Sequence, residues 1–173
     1  MSLKAQDVYV ILKILASGSR RPPYAVLAID LGMSASEVHA SVKRAQAARL
    51  LHGPESDNRP NLSAVQEFLI HGLKYAFPAE RGNFTRGVPT SYAAEPLRRK
   101  IPPSTEPIPV WPHAEGKDRG IALTPLHKSA PVAALRDPHF YEYLALADAL
   151  RDGRARERKY AEEELRQRLQ TAK

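Results

Sequence analysis

Residues 24–51 read YAVLAIDLGMSASEVHASVKRAQAARLL and predict two helices joined by a tight turn. Leu27, Ala28 and Leu31 fall at the three- and four-residue spacing that gathers apolar side chains on one helix face. Gly32 stands where the first helix should end, because glycine takes a left-handed C-cap without steric cost. Ser34 followed three residues later by Glu37 is the capping-box pattern that starts a second helix. Val38, Val42 and Ala45 give that helix a narrow apolar stripe, and Ser36, His39, Ala40, Lys43, Arg44 and Ala47 turn roughly opposite it. An outer face this small, polar and cationic has the shape and the donors to enter a DNA major groove.

Outward from this stretch, residues 4–17 predict a supporting helix with Val8, Ile11, Leu12 and Leu15 buried and Gly18 closing it. Arg20 and Arg21 precede Pro22-Pro23, and two roles fit them: phosphate contacts beside the groove, or a solvated loop pair. On the other side, Leu50 to His52 can form a short strand, and the turn formers GPESDNRPN predict a wing with Arg59 as its one cation. Asn61 caps a further helix, Leu62 to Phe77, where Gly72 would allow close approach of a second helix, as in a dimer.

The frame LAIDLGMSASEVHASVKRAQAARLL resembles the helix-turn-helix of winged-helix transcription regulators of the MarR or IclR type. The resemblance runs from Lys4 to about Asn61, less than half of the chain. It implies a winged helix-turn-helix head that binds double-stranded DNA as a homodimer.

The remainder differs in character. Eleven of the fifteen prolines lie between Pro78 and Pro138, including IPPSTEPIPVWP, which excludes long helices and favours an extended arm. Trp111 is the only tryptophan. It would either pin this arm to the globular part or dock it on a partner. Asp137-Pro138 starts a C-terminal helix with Phe140, Leu144, Ala147 and Leu150 on one face. Gly153 interrupts it, and a charged segment follows with Ala161, Leu165 and Leu169 at four-residue steps. Arg151, Arg154, Arg156, Arg158 and Lys159 concentrate positive charge there, mixed with carboxylates.

A net charge of +7 suits a polyanionic partner, and the absence of cysteine excludes disulfides and thiolate chemistry. No stretch has the roughly 18 apolar residues that span a bilayer, and the N-terminus lacks a signal-peptide layout, so a cytoplasmic protein is expected, without membrane association. P-loop, GxGxxG, GxSxG and HExxH motifs are missing and the six histidines are scattered, which gives no ground for an enzyme, a metal or a cofactor.

The expected fold is mainly α: a winged helix-turn-helix domain over 1–77, a proline-rich extended arm over 78–136 and a C-terminal helical segment over 137–173. The expected function is sequence-specific transcription regulation. Ser36, His39 and Lys43 would read base edges, and Arg20, Arg21, Arg44 and Arg59 would hold phosphates. Trp111, Phe140, Leu144 and Leu150 would meet a dimer mate or partner. The alternative is an antitoxin-type module whose arm and C-terminal helices bind a protein encoded by an adjacent gene.

Overall fold

The computed structural model describes residues 1–172. Its first three helices follow from the signals above: α1 (Ala5–Ala16), α2 (Tyr24–Leu31) and α3 (Ala35–Ala47). Every residue from Asp7 to Leu15 is buried, so α1 is a central helix and not a one-sided support. α2 and α3 cover it on one side, and α7 (Pro138–Asp152) covers it on another. Tyr9 marks the junction, with its ring 5.3 Å from Phe140 and its hydroxyl donating to the Leu31 carbonyl at 2.9 Å.

The helix expected from Leu62 is continuous but not regular. α4 (Leu62–Glu67) passes through one π turn, Phe68–Gly72, into α5 (Leu73–Ala76). At Gly72 the Phe68 ring fills the space that a Cβ would need, so this glycine serves packing within its own helix.

The wing is not formed. Among the described residues, the 50–61 segment makes a single bridge, Leu51 with Pro60, around a short 3₁₀ turn at Pro54–Ser56. The His52 N–H donates to the Arg59 carbonyl at 2.8 Å and the Asn61 N–H to that of Leu50 at 2.9 Å, and the chain turns at Pro54 before the ladder extends. Asp57 and Asn58 take left-handed φ of 53° and 55°, closing the loop as a local turn.

The proline-rich stretch is no free arm. It builds β1 (Arg81–Pro89), β2 (Pro109–Pro112) and β3 (Asp118–Leu123). β1 runs antiparallel to both others, through Val88 opposite Trp111 and Arg86 opposite Arg119; β2 and β3 are parallel through Pro109 and Ile121. Each strand therefore pairs with both others, and the three close on themselves. Prolines mark strand ends, at Pro89, Pro109 and Pro112, where a missing donor costs least. Glycine is required where the strands converge. A Cβ on Gly87 would fall 2.0 Å from the Trp111 carbonyl oxygen, and one on Gly120 equally close to that of Ile108.

α6 (Ala130–Arg136) leads into α7, and α8 (Ala155–Thr171) folds back along α7 after Gly153. The architecture is thus α/β, with a three-stranded mixed sheet joined to helices, in place of the expected mainly α winged helix with an arm.

What seats the sheet on α7 is polar and buried. Asp148 accepts from Trp111 Nε1 at 2.8 Å, Thr90 Oγ1 at 2.7 Å and Arg151 Nη2 at 2.8 Å. Arg151 in turn donates to the carbonyls of Phe77 at 3.1 Å and Thr124 at 2.9 Å. The two side chains are only 2% and 3% exposed. Asp148→Ala would strand the guanidinium and two further donors, at a cost of about 3–5 kcal/mol. Urea unfolding followed by Trp111 fluorescence should show that loss, and a smaller one for Asp148→Asn, which keeps an acceptor.

Candidate nucleic-acid interface

Local chemistry places α3. Gly32 ends α2 with φ 66°, and the Ser34–Glu37 capping box starts α3: Ser34 Oγ accepts the Glu37 N–H at 3.2 Å and the Ser34 N–H donates to Glu37 Oε2 at 2.8 Å. These bonds to Ser34 hold the Glu37 carboxyl below its ordinary pKa, and the nearby charge of Lys128 adds to the effect. The carboxylate is thereby turned back on its own helix end.

The inner side of α3 is fixed by Val38, Ser41, Val42 and Ala45, all buried. Arg44 joins them. Its guanidinium grips Asp7 in a two-pronged pair, Nε to Oδ2 at 2.9 Å and Nη2 to Oδ1 at 2.7 Å, and reaches Ser41 Oγ at 3.2 Å. Arg44, expected at a phosphate, instead bolts α3 to the start of α1, because a fully buried carboxylate needs a matching charge.

The outer side carries Ser36, His39 and Lys43, all exposed, with the small Ala47 beyond them. The Tyr24 ring meets His39 edge-on at 5.3 Å. Beside it, Gln46 Nε2 donates to Asn58 Oδ1 at 2.6 Å and Asn58 Nδ2 to the Tyr24 hydroxyl at 3.3 Å, so the loop that replaces the wing is tied to both α2 and α3. Arg20 and Arg59 are exposed; Arg21 is half-buried and donates to the Gly18 and Arg20 carbonyls of its own loop.

Two cations near α3 escaped the sequence reading. Arg49, exposed, follows α3 with φ 62°. Lys128 comes from the segment before α6, which is held against the turn by Ser129 Oγ donating to the Gly32 carbonyl at 3.3 Å. A separation of 97 residues left no local signal for it.

The residues expected to meet a partner lie elsewhere. Trp111, Phe140, Leu144 and Leu150 are all buried in the chain's own core, so none presents a surface. Arg151, grouped with the C-terminal cations, is buried against Asp148. The exposed apolar side chains near the interface are instead Val26 and Ile29 on α2 and Val132 and Leu135 on α6.

Among the described residues, no group of three or more His, Asp or Glu side chains is placed to hold a metal ion, and no helix is long and apolar enough to cross a membrane. No family model, curated protein or solved structure matches the chain.

His127 links this region to the core: it stacks on the buried Tyr9 at 4.9 Å, and its Nδ1 accepts the Ser129 N–H. Burial lowers its pKa from the ordinary 6.5, against an opposing pull from Glu37. A depressed histidine is neutral in the folded chain while the unfolded chain already takes up a proton, so stability should fall as pH drops below about 6.5. Thermal melts between pH 7.5 and 5 should show this slope, and His127→Asn should flatten it.

Proposed function

We propose that the protein is a sequence-specific DNA-binding regulator that sets α3 in the major groove and acts as a dimer. The observation that carries this reading is the division of α3 into two faces. One is locked by burial and by the Arg44–Asp7 pair, and the other offers Ser36, His39 and Lys43 to solvent. A reading helix must be held rigidly while its polar side chains stay free, since base contacts tolerate little displacement. Lys43 donates to guanine O6 or N7 in this reading, and His39 and Ser36 take neighbouring base edges. Arg20, Arg21, Arg59, Arg49 and Lys128 supply phosphate contacts around them. One such helix spans a short half-site, so two copies bind an inverted repeat.

The exposed apolar side chains Val26, Ile29, Val132 and Leu135 favour a second reading, a module that also meets another protein. In that reading the contact surface is shared between α2 and α6, so it is not confined to residues 78–173.

Fluorescence anisotropy of the full chain on duplex DNA from upstream of its own gene, across a salt series and against scrambled competitor, tests the first reading. Lys43→Ala should lose about 1–3 kcal/mol of specific affinity. Arg59→Ala should instead weaken specific and scrambled DNA alike and lower the salt slope by about one. Equal displacement by scrambled DNA would count against sequence-specific reading.

A further inference from the structure

The outward face of β1 and β3 carries chemistry that the α3 interface does not use. Phe84 and Arg86 lie two residues apart on β1, opposite Ile121 and Arg119 of β3. Directly paired residues and residues two apart share a face, so all four side chains stand on one side of the strand pair. Phe84 is 53% exposed, and the Arg119 guanidinium lies over its ring at 5.4 Å. Arg86 is exposed and donates to the Gly116 carbonyl at 3.2 Å; Lys117, also exposed, stands two residues before Arg119.

This arrangement is unfavourable for the isolated chain. Like charges directly opposite on an antiparallel pair repel, and among the described residues neither Arg86 nor Arg119 has a carboxylate partner. Asp118, between Lys117 and Arg119, alternates to the other face, where its charge bears on the Tyr141 hydroxyl. Glu115 is the remaining exposed carboxylate of the adjoining turn. Next to Phe84 the β1–β3 register is broken between Arg81 and Phe84, leaving Gly82 and Asn83 exposed along the strand. An exposed aromatic ring beside unpaired cations on an irregular strand is a platform for unpaired bases with a backbone of phosphates. A duplex cannot use the ring, because its bases are already stacked.

We propose that the Phe84–Arg86–Arg119 face of the sheet binds single-stranded nucleic acid, one base stacking on Phe84 and Arg119 while Arg86, Arg119 and Lys117 hold the adjoining phosphates. The site is distinct from α3 and stands whether or not α3 reads duplex DNA.

The test titrates the full chain into fluorescein-labelled oligothymidylate across a salt series, with a duplex of the same length and polyglutamate as competitors. Oligothymidylate should bind and polyglutamate should compete poorly. Phe84→Ser should weaken binding roughly 5- to 150-fold with the salt slope unchanged, and Phe84→Tyr, which keeps the ring, should retain it. Arg119→Gln should lower the slope by about 0.7. Thermal melts check folding: Arg86→Gln removes a like-charge repulsion and should leave the melting temperature unchanged or higher. Lys43→Ala should leave oligothymidylate binding intact. Absence of binding, equal competition by polyglutamate, indifference to Phe84→Ser in a folded variant, or loss on Lys43→Ala would each overturn the proposal.

Discussion

The pair Asp148–Arg151, one turn apart on α7, is the contact on which the arrangement of the sheet depends. Between them the two side chains take bonds from or give bonds to the ends of α5, β1 and β3 and the tryptophan of β2. An ion pair taken out of water gains little net stability over apolar packing of equal volume. Its value lies in direction. A carboxylate with three donors aimed at it and a guanidinium with fixed geometry accept only one placement of the strands, where leucines would tolerate several. The small sheet, which has few apolar residues of its own, is oriented by this polar node and anchored by Trp111 within it.

Two further buried charges organise the other half. Asp7 holds Arg44, and Lys13 meets Asp137 at 2.7 Å and Asp30 at 3.4 Å. Asp137 is half-buried, which raises its pKa, but the Lys13 ammonium and the Phe140 N–H outweigh this desolvation and leave it lowered. α1 thus carries a charge near each end, one tying it to α3 and the other to α2 and α7. The outer face of α3 is held in place through α1, whose own contacts reach into the C-terminal half at Asp137.

Legibility in the sequence followed the range of the interaction. Leu27, Leu31, Gly32, Ser34 and Glu37 determine α2, the turn and the start of α3 within a dozen residues, and each has the conformation its type predicts. The exposure of Ser36, His39 and Lys43 followed from helical period alone. Arg44 was misread because its partner lies 37 residues away and a helical wheel shows only which way a side chain points. The strands were hidden for two reasons. Most of β1 faces solvent, so it lacks alternation, and proline density reads as extended chain whether or not that chain finds a partner. Asp148 lies within an otherwise apolar run, and nothing local tells a buried carboxylate from a solvated one.

The match of Lys13 to Asp137 spans 124 residues. During synthesis α1, α2 and α3 leave the ribosome while α7, which covers the other side of α1, is still untranslated. At the usual 5–20 residues per second that interval is roughly 6–25 s. The newborn chain therefore passes through a long period with one apolar side of α1 uncovered, during which a chaperone or a second nascent chain can occupy it. A message truncated before α7 would leave that side of α1 without the helix that packs on it.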